Sequence, residues 1–234
     1  MYNEIPSHEE ITMKIIEGGI CAAKGFKANG IHCGIRKNRT KRDLALIYSE
    51  KKAAAAAVYT TNLVKGAPLA VTKIHLMDGK AQAVICNSGN ANTCNADGIE
   101  IATKMAELTA NTMGIDKEDV VVASTGVIGQ PLSITPIENA IESLKASLGN
   151  NSKEAAEGIM TTDTKLKEVA VEFEIGGKIC KMGGIAKGSG MIHPNMATML
   201  VFVTSDVAIT PAALDAALKE DYKFGPYGDA LLII

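Results

Sequence analysis

The chain has little of what an extracellular or metal-dependent protein is built on. Its five cysteines, Cys21, Cys33, Cys86, Cys94 and Cys180, are odd in number and contain no C-x-x-C pair, which argues against a disulfide framework and a zinc site. A reducing cytoplasm is the expected home, with each cysteine serving as a small buried hydrophobe. His8, His32, His75 and His193 show no metal-ligand spacing, so no metal is expected. There is no long block of like charge, and the formal net charge is -2. That gives no electrostatic footprint for nucleic acid or an anionic membrane; a small neutral or zwitterionic substrate fits better. The first residues lack a basic stretch followed by an apolar one, and no apolar run approaches ~18 residues, so neither secretion nor membrane insertion is expected. Internal repeats and low-complexity linkers are also missing, which leaves one compact unit with strands and helices intermixed.

What is present supports a sizeable core: 234 residues, 47% of them hydrophobic. From Ile11 to Val84 short β-rich segments dominate, with strands expected at Ile31 to Ile35, Leu44 to Tyr48, Ala56 to Tyr59 and Ala81 to Ile85. The alanine run Ala53 to Ala57 continues into Val58 and Tyr59 and reads as buried strand. The dense basic run Arg36 to Arg42, with Asn38 inside it, reads as a solvated turn, the alternative being a phosphate or coenzyme A contact. Asp97 and Glu100 form a capping-box pattern ahead of a helix over Ile101 to Met113. Thr135-Pro136-Ile137-Glu138 predicts a second helix with Thr135 as N-cap, stopped by Gly149-Asn150. Between them Val120 to Ser124 reads as a buried strand that delivers Thr125 and Gly126 at its end. Beyond Asn150 the pattern predicts a helical patch at Lys153 to Met160, a hairpin turning at Gly176-Gly177, a strand at Leu200 to Thr204, and a last helix opened by Thr210-Pro211.

The chemistry centres on His193-Pro-Asn-Met-Ala-Thr-Met-Leu200, preceded by the glycine-rich run Lys187 to Ile192. A threonine hydroxyl is a poor nucleophile at neutral pH, but a free α-amine on the same residue serves as its base. Cutting the Ala197-Thr198 bond creates that amine, whose pKa of roughly 7.7 to 8.0 leaves a useful neutral fraction. The glycines and Pro194 allow a strained loop, and strain at the scissile peptide would favour attack of the Thr198 hydroxyl on the Ala197 carbonyl.

The run Pro194 to Leu200 resembles the processing site of the ornithine acetyltransferases, or glutamate N-acetyltransferases, of arginine biosynthesis. Asn87 to Asn95, Ser124 to Pro131, Met160 to Thr164 and Ala186 to Ile192 are similar to that family's motifs and come in its order, over about residues 8 to 219. The resemblance implies an α/β fold, a layered α-β-β-α sandwich similar to N-terminal-nucleophile hydrolases. It implies that Thr198 is the catalytic nucleophile, that Thr125 and Gly126 stabilise the oxyanion, and that Thr161 and Lys187 contact substrate; the alternative at Thr161 is that its neighbours Thr162 and Asp163 support a turn. It further implies transfer of an acetyl group from N-acetylornithine to glutamate, and a heterotetramer of two first and two second pieces. No bound cofactor is implied; acetyl-coenzyme A serves some members as a co-substrate. The amide-rich Asn87 to Asn95 run is expected to support irregular backbone near the site.

The likeness stops at about residue 219, and residues 220–234 form a divergent tail. Family members run to roughly twice this length by the same resemblance, with further substrate contacts in the later part. The rival readings are a self-processing amidase or aminopeptidase that passes its acyl group to water, and an inactive fragment.

Overall fold

The computed structural model describes residues 12–38, 40–188, 199–219 and 231–233. In chain order these form β1 (Met13–Ile16), β2 (Phe26–Ile31), β3 (Leu44–Ala54), β4 (Ala56–Ala57), α1 (Ala67–His75), β5 (Lys80–Asn87), α2 (Gly98–Met113) and β6 (Val120–Ser124). There follow α3 (Thr135–Ala146), α4 (Ser152–Ile159), β7 (Lys167–Ile175), β8 (Lys178–Lys187), β9 (Leu200–Ser205), α5 (Pro211–Lys219) and β10 (Leu231–Ile233).

Two sheets result, one ordered β2-β3-β5-β6 and the other β1-β7-β8-β9-β10-β4. Strand residues alternate between faces, so the four-stranded sheet carries two apolar sets. Leu44, Leu46, Ala83, Ile85, Val120 and Val122 meet Val71, Met105, Ile137, Ile141 and Leu144 from α1, α2 and α3. Ala45, Ile47, Val84, Cys86, Val121 and Ala123 form the second core with Ala155 and Ile159 of α4 and with Ile185 and Phe202 of the six-stranded sheet. Burial on both faces explains why β5 and β6 read as continuous apolar runs rather than alternating ones. The architecture is a mixed α/β arrangement of stacked layers, the class the sequence predicts.

The alanine run is strand, but it serves both sheets. Ala53 and Ala54 pair with Ala81 and Lys80 of β5, while Ala56 and Ala57 pair with β10. Small side chains let one segment cross between layers at close range.

Several expectations are corrected. The strand expected at Ile31 to Ile35 lies earlier, at Phe26–Ile31, because Asp43 draws the following backbone into a loop by accepting from the Cys33 and Arg36 amides at 2.6 and 2.8 Å. Strand at Ala56 to Tyr59 ends at Ala57. Neither expected cap forms: Asp97 and Ile134 occupy the N-cap positions of α2 and α3 without side-chain hydrogen bonds, and Thr135 is already helical. Glu100 pairs instead with Lys104 at 2.7 Å, one turn on. Thr210 does cap α5, accepting from the Ala213 amide at 3.2 Å. Helix α1 falls in a stretch read as strand-dominated. Of the cysteines, Cys86 and Cys180 are buried and Cys21 and Cys33 partly so, but Cys94 is exposed, on a backbone with φ of 63°.

Candidate functional site

Strands β5 and β6 run parallel and in register, so Asn87 lies beside Ser124 and both strands leave the sheet at one edge. The Asn87 side chain organises that edge. Its amide donates to Ser124 Oγ at 2.7 Å, its Oδ1 accepts from the Gly89 and Asn90 amides at 3.1 and 3.0 Å, and its backbone carbonyl accepts from the Thr125 amide at 2.9 Å. The rest of the amide-rich run continues this role. Asn90 donates to the Gln130 carbonyl and accepts from the Asn92 amide, while Asn92 donates to the Gly98 carbonyl. These bonds satisfy irregular backbone, as the composition of the run predicts.

Gly126 sits against Gly89 with φ of 129°. A Cβ here would lie 2.5 Å from the Gly89 carbonyl carbon and 2.7 Å from the Asn90 nitrogen, so only glycine fits. The Thr125 amide is taken by Asn87. Its hydroxyl and the Gly126 amide make no hydrogen bond with the described residues, which leaves two donors side by side at the strand end.

A second wall comes from β8. Its last residue, Lys187, pairs with Leu200 of β9 and is 2% exposed. Burial lowers its pKa; Asp163 and Cys86 oppose that shift, and the nearby Lys167 and Arg36 charges add to it. Asp163 anchors the loop before β7, accepting from the Thr161 amide at 3.3 Å, the Gly188 amide at 2.9 Å and Lys167 Nζ at 2.6 Å. Burial alone would raise the Asp163 pKa, but these bonds hold it below the usual carboxylate value. Asp163 is thus the turn support anticipated for this stretch, and Thr161 presents itself to the space between the walls.

That space is a cleft of about 1330 Å³ lined by Thr125, Gly126, Thr161 and Lys187, together with Met199 and Arg36. Four of the residues singled out from the sequence therefore share one cavity. Ala197 and Thr198 lie outside the described residues; Met199, the next residue, lines the cleft. Among the described residues no group of histidines, cysteines and carboxylates gathers around a metal-sized space, and no helix is long and apolar enough to cross a membrane.

The basic run is a solvated turn at Lys37, Asn38, Thr40 and Lys41, which are exposed, but Arg36 departs from that reading. Its side chain is half-buried and reaches the Ser88 and Met160 carbonyls, with Nε 2.9 Å from Ser88 O. The only sequence signal is Asp43, an acid opening an apolar strand; it is fully buried and holds the Arg36 amide.

Over residues 27–224 the chain matches the ArgJ family. It is 51% identical over 212 residues to the arginine biosynthesis bifunctional protein ArgJ of Caldanaerobacter subterraneus subsp. tengcongensis, an alignment that takes in 88% of this chain and 51% of that protein. The ArgJ protein of Bacillus subtilis is 48% identical over 207 residues, with 88% of this chain and 50% of the relative covered. The chain thus spans about half the length of the curated relatives it matches. Among solved structures, the ArgJ protein of Bacillus halodurans superposes with a TM-score of 0.74 at 40% identity, covering 82% of this chain and 100% of that one. The ornithine acetyltransferase of Mycobacterium tuberculosis, solved in complex with ornithine, superposes with a TM-score of 0.70 at 33% identity, covering 77% and 97%. By sequence and by fold alike, the chain belongs to the ArgJ family.

Proposed function

We propose that the protein serves arginine biosynthesis as an acetyltransferase, moving an acetyl group from N-acetylornithine to glutamate through an acetyl ester on Thr198. The observation that carries this reading is the convergence of Thr125, Gly126, Thr161, Lys187 and Met199 on one cleft. In the first stage Thr198 Oγ attacks the Ala197 carbonyl carbon, the C–N bond breaks, and the peptide becomes an ester that water hydrolyses. Thr198 is then the first residue of a new chain, and its α-amine takes the hydroxyl proton during catalysis. Attack on the acetyl carbonyl creates an oxyanion that the Thr125 hydroxyl and Gly126 amide stabilise. Ornithine departs with a proton on its amine, and the glutamate α-amine then attacks the ester.

Lys187 supplies a partly desolvated cation for a substrate carboxylate, whose arrival would restore the charge that burial disfavours. The ornithine found in the Mycobacterium tuberculosis relative supports an amino-acid substrate. Self-cleavage draws support from the coverage figures: this chain spans nearly all of each solved chain but only about half of the curated relatives, as first pieces of a cut precursor would require. The remaining parts of the reading are a heterotetramer of two first and two second pieces, a cytoplasmic location, no bound cofactor, and acetyl-coenzyme A as an optional second donor.

The test uses the full-length protein. Intact mass should show two pieces divided at Ala197-Thr198 and one piece for Thr198→Ala; division of the alanine variant at the same bond would remove the threonine mechanism. With N-acetylornithine and glutamate, kinetics should be ping-pong, and Thr125→Ala should lower turnover by about 10² or more. Release of acetate without N-acetylglutamate would instead establish an amidase.

A further inference from the structure

Among the residues that the loop joining β2 and β3 contributes to the cleft lining, Arg36 has a side chain that touches both walls. Asp43, fully buried, sets the loop by accepting from the Cys33 and Arg36 amides. From there the Arg36 guanidinium donates to the Ser88 carbonyl through Nε at 2.9 Å and Nη2 at 2.5 Å, and Nη2 also donates to the Met160 carbonyl. No carboxylate among the described residues lies within ion-pair distance of it; Asp43 and Asp163 act on it only at longer range. Its charge is therefore directed at two backbone oxygens, and charge-assisted bonds of this kind are about twice as strong as neutral ones.

The two carbonyls are informative. Ser88 O belongs to the peptide whose nitrogen is Gly89 N, itself held by Asn87 Oδ1, and Gly89 is the backbone against which Gly126 is packed. Met160 O belongs to the peptide whose nitrogen is Thr161 N, held by Asp163 Oδ2 at 3.3 Å. Ser88 Oγ adds a bond between the same two regions, donating to the Gly158 carbonyl at 2.6 Å. One guanidinium thus fixes two peptide planes, one behind the Thr125-Gly126 donors and one immediately before Thr161.

We propose that Arg36 is a positioning residue that clamps the oxyanion wall of the cleft to the Thr161 wall, setting the distance between the groups that stabilise the oxyanion and the group that contacts substrate. The proposal rests on the acetyltransferase reading for its catalytic consequence, but not for the clamp itself. Nη2 alone reaches both carbonyls, and the planar fork adds the Nε bond that fixes its orientation on Ser88 O; lysine, a point charge on a flexible stem, would lose that second bond.

The experiment has two arms. In the full-length enzyme, Arg36→Ala and Arg36→Lys should lower kcat by about 10², the scale of a small misplacement at a reacting centre, while KM stays within about threefold. Added guanidinium ion should restore Arg36→Ala at least tenfold but leave Thr125→Ala unchanged. A loss of kcat that guanidinium does not rescue, or turnover within about twofold of the parent, would overturn the proposal. In the 234-residue chain, amide exchange at Gly89, Val127 and Thr161 should rise at least tenfold in Arg36→Lys, with Val84, Ile85 and Cys86 unchanged. Should the parent enzyme transfer no acetyl group, the acetyltransferase reading fails while this arm still decides the clamp: unchanged exchange at those three amides sinks it. Should Arg36→Ala fail to fold, Arg36→Lys carries both arms.

Discussion

The Asp163 carboxylate accepts from two backbone amides and from Lys167 at the foot of the cleft, and its side chain is 4% exposed. Its pKa in the folded protein lies below the ordinary value of 3.8. A carboxyl with a depressed folded pKa contributes stability that is fully present above its unfolded pKa and is lost as pH falls through the folded one. Asp163→Asn should therefore destabilise the protein by about 1.5–3 kcal/mol at neutral pH, the range for hydrogen bonds to a charged group. The gap between parent and variant should close below about pH 4, a window that thermal unfolding of both proteins from neutral pH down to about 3 would read. A gap that stays constant into acid would mean the three bonds do not depend on the carboxylate charge. Asp163 was legible only as a turn residue: Lys167 lies four residues on, but Gly188, which closes the site, comes from the far side of the β7-β8 hairpin. Arg36 was misread for a similar reason: a dense basic run normally faces water, and what draws this arginine inward is a buried acid and two carbonyls distant in sequence.

Among the elements, those whose own residues carry the instruction were legible. Strand β6 is apolar on both faces and ends at Ser124 before Thr-Gly; α2, α3 and the β7-β8 hairpin follow from periodicity and turn chemistry. Helix α1 was not. Its Val71, Thr72 and Ile74 are poor helix formers, and its stability comes from elsewhere. Strand β6 lies at the edge of its sheet, and α1 covers that edge with side chains: Thr72 Oγ1 donates to the Val122 carbonyl at 2.8 Å and accepts from its amide at 3.0 Å, and His75 Nδ1 donates to the Val120 carbonyl at 2.8 Å. A helix that substitutes for a missing strand neighbour leaves no local signal in its sequence. Close approach is equally silent. Helix α4 lies on β2 so tightly that a Cβ at Gly30 would collide with the Glu154 carbonyl. Gly30→Ala should cost about 1–3 kcal/mol, the usual range for overpacking, measured as a shift in the denaturant midpoint. It should also weaken the cleft, since Gly158 and Met160 at the end of α4 hold Ser88 and Arg36. A neutral substitution would mean that α4 can lift away without penalty.

The two sheets differ in how their outer faces are finished. Helices α1, α2 and α3 cover the four-stranded sheet; in the six-stranded sheet α5 packs against β4 at one end, whereas β1 and β7 at the other end carry exposed apolar side chains. The register puts Met13 beside Phe173 and Ile15 beside Val171, with Val169 on the same face of β7. Met13, Ile15 and Val169 are 67%, 79% and 56% exposed, and β1 is the last strand in its sheet among the described residues. Apolar area of this kind, next to an unpaired strand edge, favours association in two ways: burial of the face and pairing along the edge. The isolated 234-residue chain should therefore self-associate with rising concentration, seen by light scattering or sedimentation up to about 100 μM. Ile15→Lys combined with Val169→Lys should shift it toward monomer, because a charge on each of two neighbouring strands blocks face contact while the inward-facing Ala170 and Ile185 keep the core intact. Substituting Ile179, also exposed but on the opposite parity of the sheet through its pairing with Glu174, should change association little. That contrast separates a specific face from general stickiness: equal effects at both places, or a parent chain that stays monomeric throughout, would show that this face does not drive association.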